Sequence, residues 1–165
     1  MALLLWPAAW PPAAAAPALP DDAVKAAVIY KVMLFTRWPA APAGAPLTLC
    51  VLGRDEVGAL LPELDGRHIG ERPLRVRGAP GHEALQGCDA AYLAASERYR
   101  LDALGAEPGL MTVVDCGHGL CQSGAVLTLA VESGRLVFAV DRPRAERQGL
   151  EFSAQVLRLA RPLPP

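Results

Sequence analysis

Apolar residues along this chain fall into short continuous runs that are separated by turns rich in Gly, Pro and Asp. Leu47–Leu52, Ala90–Ala95 and Leu110–Val114 are apolar at almost every position. Continuous runs of this length predict strands that are covered on both faces. The run Arg72–Arg77 alternates instead, which is typical of a half-exposed or edge strand. We therefore expect a central sheet in the interior of the fold.

The segment after these runs predicts a cysteine-closed loop and a β-hairpin. Asp115 ends the apolar run, and a six-residue segment follows with Cys116 and Cys121 at its two ends. Two runs rich in β-branched and apolar residues come next, with a short Ser-Gly turn between them, which is how a hairpin is encoded. The hairpin strands are Ala125–Val131 and Arg135–Val140, joined by Glu132-Ser133-Gly134.

The first predicted helix covers residues 23–38. Asp21 and Asp22 precede it and favour a helix start, and Pro39 stops it. Apolar residues occupy nearly all of its circumference, which predicts burial on more than one side. We expect it to pack against the sheet and against a second surface, either the C-terminal helix or another subunit. The exceptions to the apolar pattern are Lys25, Lys31 and Arg37.

Further helical patterns alternate with the strands, which predicts an α/β fold. The last one lies within the segment Leu150–Ala160, with Ser153 as its N-cap and Leu159 on its buried face. We expect one domain over residues 21–165, built as a three-layer α/β/α sandwich around a mostly parallel sheet that ends in the hairpin. The other predicted helices are 53–64, Glu97–Leu104 and Asp141–Gln148.

Residues 1–20 have the composition of a leader. They are apolar and end in Ala16-Pro17-Ala18, which is typical of a secretory signal peptide; a Pro/Ala-rich leader without targeting function is the alternative. No later run approaches the roughly 20 residues that span a bilayer, so we expect the mature protein to be soluble. The net charge of −1 gives no basic surface for nucleic acid.

Four cysteines in an exported chain of 165 residues predict two disulfides, for which three connectivities exist. Closeness in sequence favours Cys116–Cys121, which leaves Cys50–Cys88. By loop-closure entropy the long bridge stabilises by about 4 kcal/mol and the short one by about 2 kcal/mol, so the short bridge is expected to be the more reducible. Zinc held by Cys116, His118 and Cys121 is the alternative, although no second ligand pair has the usual spacing.

Several segments of the chain match, in order, the motifs of one known family. Residues 25–39, KAAVIYKVMLFTRWP, are similar to that family's opening pattern, roughly KAAFLYNFAKFVEWP. The segments LTLCVLG, LDGRHIGERPLRVR and GLMTVVD follow in the family's order. The hairpin SGAVLTLAVESGRLVFAVD and the ending GLEFSAQVLRLA are also similar to the family's. The chain therefore resembles the YfiR family over about residues 22–160.

The resemblance implies a periplasmic regulator, and we expect neither enzymatic activity nor a cofactor. Such proteins bind the periplasmic part of an inner-membrane diguanylate cyclase and restrain its synthesis of cyclic di-GMP, and an outer-membrane lipoprotein can sequester the inhibitor. The resemblance also implies two disulfides, a long-range one at Cys50–Cys88 and a local one at Cys116–Cys121. A homodimer formed through the apolar first helix is a further expectation.

We place the partner surface beside the short disulfide and the hairpin, at Leu120, Glu132 and Phe138. Leu120 lies between a glycine and a cysteine, where a large apolar side chain is expected to point outward. Glu132 and Phe138 have ordinary alternatives as turn and core residues. A small-ligand site at Asp115 is the second hypothesis, because ligands bind where the strands of open α/β sheets end. No arrangement of nucleophile and base predicts catalysis.

Overall fold

The computed structural model describes residues 21–39, 42, 44–104 and 107–164 of the chain. The predicted leader, residues 1–20, lies outside the described residues. Five α-helices are formed within them: α1 (Asp21–Leu34), α2 (Glu56–Leu60), α3 (Leu101–Leu104), α4 (Arg142–Arg147) and α5 (Ala154–Leu159). The strands are β1 (Thr36–Arg37), β2 (Leu47–Leu52), β3 (His68–Ile69), β4 (Arg72–Gly78), β5 (Ala90–Leu93), β6 (Met111–His118), β7 (Leu127–Glu132), β8 (Arg135–Val140) and β9 (Glu151–Phe152).

Seven strands form the main sheet in the order β3-β4-β2-β5-β6-β7-β8. The five strands β4, β2, β5, β6 and β7 pair in parallel with one another, whereas the edge strands β3 and β8 pair antiparallel with β4 and β7. Ser133 and Gly134 form the β7–β8 turn with φ values of 50° and 70°, the left-handed conformation that a tight hairpin turn requires. The predicted α/β class is confirmed, and the sheet is mixed with a hairpin at one end. A strict three-layer sandwich stays a prediction.

Successive residues of the central strands alternate between two hydrophobic clusters. Leu49 belongs to a first cluster that includes Ile29 of α1, whereas Cys50 belongs to a second cluster that includes Leu104 of α3. Both faces of β2 are therefore covered by apolar groups. This explains why the strand carries an almost unbroken apolar sequence.

Helix α1 ends four residues before the predicted boundary at residue 38. It stops at Leu34, where the Thr36 hydroxyl donates to the Val32 carbonyl at 2.8 Å. Thr36 and Arg37 then form β1, which pairs antiparallel with β9. Within this helix Lys25 is buried, although its charge made it an exception to the apolar pattern of the sequence.

Other predicted elements are present with altered bounds. The helix predicted over Glu97–Leu104 is a 3₁₀ helix, Ala95–Arg100, continued by α3. β6 runs beyond the predicted strand end to His118, with a register shift against β7 between Asp115 and His118. Ser153 caps α5 as predicted, because its Oγ accepts a hydrogen bond from the Val156 N–H.

Candidate partner surface and the disulfide loop

A buried ion pair anchors the end of β6 to helix α1. The Lys25 Nζ lies 2.7 Å from Asp115 Oδ2 and 3.4 Å from Asp22 Oδ1. The Lys25 side chain is only 8% exposed and that of Asp115 16%. Burial lowers the pKa of Lys25, but the hydrogen bonds and charges of Asp115 and Asp22 outweigh it, so the pKa is raised overall. Lys25 is therefore charged at neutral pH and holds α1 against β6.

The second oxygen of Asp115 supports the start of the disulfide loop, which is residues 116–121. Asp115 Oδ1 accepts a hydrogen bond from the Gly117 N–H at 2.9 Å. Both carboxylate oxygens thus have protein partners. A small ligand that used this carboxylate, as the second hypothesis requires, would compete with Lys25 or with Gly117.

The disulfide loop is closed by sulfur and attached to the hairpin by its backbone. Cys116 and Cys121 are bonded, with their Cα atoms 6.0 Å apart. Gly117 and Gly119 both have positive φ, 72° and 79°, which lets the chain turn back within so few residues. The Gly119 N–H donates to the Val131 carbonyl at 3.1 Å. The loop therefore lies against the end of β7.

Both disulfides have the pairing that closeness in sequence favoured. Cys50 and Cys88 form the other bridge, with a Cα–Cα distance of 6.0 Å. With Cys116 and Cys121 joined to each other, neither sulfur is available as a thiolate ligand for zinc in this state. In the described part of the chain, no three His, Cys, Asp or Glu side chains are grouped so that they could hold a metal ion.

Two of the predicted partner residues line one groove at the edge of the sheet. This groove, the β8 groove, has a volume of about 610 Å³. Phe138 is half-buried and packs against the first cluster from the groove, so it contributes to the core and to the surface at once. The residues that line the β8 groove are Glu132, Ser133, Arg135, Leu136, Val137, Phe138, Leu159 and Arg161.

Leu120 is not part of the groove wall, but it is linked to it. Its backbone N–H donates to Glu132 Oε1 at 3.2 Å, so the disulfide loop and the groove share the Glu132 carboxylate. The Leu120 side chain is half-buried, and the expected outward orientation is thus only partly reached. The structure brings Glu132 and Phe138 together and connects Leu120 to them through the backbone.

Leu159 is the groove residue that the sequence pattern placed wrongly. It was predicted on the buried face of the last helix, yet it is 66% exposed. The reason is that α5 ends at Leu159 and Ala160 is already extended, with φ −67° and ψ 139°. The side chain therefore lies at a free helix end beside β8, which helical periodicity does not reveal.

A buried tyrosine of β5 supports the turn that follows β2. Tyr92 is fully buried, and its hydroxyl donates to Asp55 Oδ2 at 2.8 Å. Burial, and then the charge and hydrogen bond of Asp55, raise the pKa of Tyr92 far above its usual value. Asp55 Oδ1 also caps α2 by accepting from the Gly58 N–H at 2.7 Å. This pair fixes the β2–α2 connection.

The family of the chain follows from its sequence profile. The profile of the YfiR/HmsC-like family matches residues 22–161, which is nearly all of the α/β fold described above. The chain belongs to the YfiR/HmsC-like family. The match begins in α1 and ends at Arg161, the last residue of the β8 groove, so the groove and the disulfide loop both lie within the YfiR/HmsC-like region.

Among curated proteins, no match to this chain is found. The helices that the structure describes include none with the length and apolar character needed to cross a bilayer.

Proposed function

We propose that this YfiR/HmsC-like protein is a periplasmic negative regulator that binds the periplasmic part of an inner-membrane diguanylate cyclase and represses synthesis of cyclic di-GMP. The observation that carries the proposal is the family match over residues 22–161. Two disulfides within the described residues support an oxidising compartment. The expected leader at residues 1–20 would direct the chain there.

The β8 groove is the proposed docking site for the cyclase. It combines an exposed apolar side chain, Leu159, with the partly exposed ring of Phe138. Arg135 and Arg161 line it beside Glu132, so charged groups of both signs surround the apolar floor. An apolar centre with a charged rim is the usual composition of a protein–protein contact. The groove also includes two of the three residues predicted from the sequence.

The disulfide loop is proposed to make this binding redox-sensitive. Leu120 of the loop hydrogen-bonds the Glu132 carboxylate, and Glu132 lines the groove. Opening the Cys116–Cys121 bond frees the loop to move, and the Glu132 side chain then loses a fixed partner. We expect weaker cyclase binding in the reduced state. Sequestration by an outer-membrane lipoprotein and formation of a homodimer stay predictions.

A charge placed in the groove tests the proposal. Leu159→Asp is expected to weaken binding of the cyclase's purified periplasmic domain at least tenfold, because a carboxylate would be desolvated at the contact. Tyr99→Asp is the matched control, since Tyr99 is 72% exposed on the 3₁₀ helix and outside the groove. The measurement is the dissociation constant by biolayer interferometry. Equal affinities of wild type and Leu159→Asp would exclude the groove, and absence of any binding by the wild type would exclude the partner.

A further inference from the structure

Each disulfide of the described structure has an arginine against one of its two sulfurs. The Arg98 Nη2 lies 2.9 Å from Cys121 Sγ in the local bridge. The Arg77 Nη2 lies 3.2 Å from Cys88 Sγ in the long-range bridge. In both cases the guanidinium contacts the cysteine that comes second in the chain. The two sulfurs of each bridge are therefore electrostatically different.

A guanidinium beside a sulfur stabilises negative charge on it. When a thiolate attacks a disulfide, one sulfur forms the new bond and the other leaves as a thiolate, and the better-stabilised thiolate leaves faster. In the local bridge, Arg98 favours departure of Cys121. Attack is then required at Cys116, a half-buried residue that packs against the edge of the second hydrophobic cluster and, unlike Cys50, is not fully enclosed.

The long-range bridge shows why accessibility matters as well. Departure of Cys88 beside Arg77 requires attack at Cys50, which is fully buried in β2. Attack at Cys88 would instead leave the thiolate on Cys50, inside the second hydrophobic cluster, where a charge is strongly disfavoured. Neither direction is favourable in the folded protein. Only the local bridge offers an accessible sulfur opposite an arginine-bound one.

We propose that Cys116 is the site at which a dithiol reductant bonds to this protein, and that Arg98 directs the exchange by holding Cys121 as the leaving thiolate. This inference rests on the redox-sensitive loop of the proposed function and names its chemistry. The co-reactant is a cysteine dithiol of a reducing partner protein, or a small dithiol such as dithiothreitol.

The exchange balances in two steps. A thiolate of the dithiol attacks Cys116 Sγ, the Cys116–Cys121 bond breaks, and its electron pair leaves on Cys121 Sγ beside Arg98. The second thiol of the reductant then attacks its own sulfur in the mixed disulfide and releases Cys116. The reductant ends as a disulfide, having supplied two electrons and two protons to the protein's two thiols.

The first test locates the mixed disulfide. The oxidised full chain is treated briefly with glutathione, quenched with acid, and alkylated, and fragment-ion mass spectrometry then assigns the two modifications. We expect glutathione on Cys116 and the alkyl group on Cys121. Glutathione found mainly on Cys121, or equally on both cysteines, would overturn the proposal.

The second test changes the arginine. Arg98→Met is expected to slow opening of the local bridge by dithiothreitol roughly three- to tenfold, and Arg98→Lys to restore most of the rate. Arg77→Met is the matched control, because it removes the same contact from the other disulfide and is expected to leave the local rate unchanged. An Arg98→Met rate equal to that of wild type would refute the role of Arg98.

The single-cysteine variants give an independent reading if Arg98→Met fails to fold. Cys116→Ser leaves the Cys121 thiol beside Arg98, and Cys121→Ser leaves the Cys116 thiol without that contact. We expect Cys121 to react with iodoacetamide at pH 7 several-fold faster than Cys116, and the reverse order contradicts the proposal. These measurements need no cyclase, so a loss of partner binding and a loss of directed exchange are told apart.

Discussion

Removing the charge of Lys25 should destabilise this protein far more than the same substitution elsewhere on α1. Lys25→Met leaves Asp115 with the Gly117 N–H as its remaining partner in a side chain only 16% exposed. Breaking a buried ion pair on one side typically costs 3–5 kcal/mol. Because Asp115 retains one hydrogen bond and some exposure, we expect the low end, about 3 kcal/mol.

Urea unfolding of the oxidised protein measures this cost. With a urea m value of about 2 kcal/mol/M, a loss of about 3 kcal/mol moves the midpoint down by about 1.5 M. Lys31→Met is the matched control, since Lys31 is exposed on the same helix, and it should change the free energy of unfolding by less than about 0.5 kcal/mol. Equal midpoints of Lys25→Met and Lys31→Met would refute the reasoning.

The double mutant and the pH dependence separate the ion pair from simple packing. Combining Lys25→Met with Asp115→Asn should cost about 2 kcal/mol less than the sum of the single changes. Since the pKa of Lys25 is raised in the folded state, its contribution is complete below the unfolded value of 10.5 and is lost as the pH rises through the folded pKa. The difference between wild type and Lys25→Met should therefore be constant from neutral pH to about pH 9 and shrink above pH 10.5. Strict additivity would show that no coupling exists.

Two further changes test the other fixed points of the fold. Replacing both cysteines of Cys50–Cys88 by alanine should lower the free energy of unfolding by about 4 kcal/mol, against about 2 kcal/mol for Cys116–Cys121, by loop-closure entropy, and equal losses in urea unfolding would contradict that account. Tyr92→Phe should cost about 1–2 kcal/mol, because it removes a buried hydrogen bond to Asp55. Thermal unfolding measures the loss, with Tyr30→Phe as the control because the Tyr30 hydroxyl makes a solvent-exposed hydrogen bond to the His68 carbonyl. A smaller loss for Tyr92→Phe than for Tyr30→Phe would show that the buried bond does not stabilise.

The central strands could be predicted from the sequence because a strand that is buried on both faces needs apolar residues at nearly every position. Leu47–Leu52 contributes to two hydrophobic clusters, so nearly every residue must be apolar. The hairpin was recognisable for a similar reason, since Ser133-Gly134 permits the positive φ values of its turn. Strands β1, β3 and β9 were not predicted. Each has two residues, which is too short to produce a periodic pattern.

The candidate site was harder to predict because its decisive contacts join distant parts of the chain. Nothing near Lys25 in the sequence indicates that it is buried, since its main partner is 90 residues away. Arg98 likewise lies in the 3₁₀ helix Ala95–Arg100 and contacts Cys121, which is 23 residues further along the chain. Local patterns report which face of an element is buried. They do not report which polar groups meet there.

The contacts around the disulfide loop indicate which of its residues would move after the Cys116–Cys121 bond is reduced. The start of the loop remains fixed without the sulfur bond, because Lys25 holds Asp115 and Asp115 holds the Gly117 N–H. At the end of the loop, Leu120 depends on a 3.2 Å hydrogen bond to the Glu132 side chain, and Cys121, once parted from Cys116, keeps its contact with Arg98 instead of a bond to β6. Opening the bridge should therefore release the Leu120 side and leave β6 in place. The change would then reach the β8 groove at Glu132, whose carboxylate belongs to both structures.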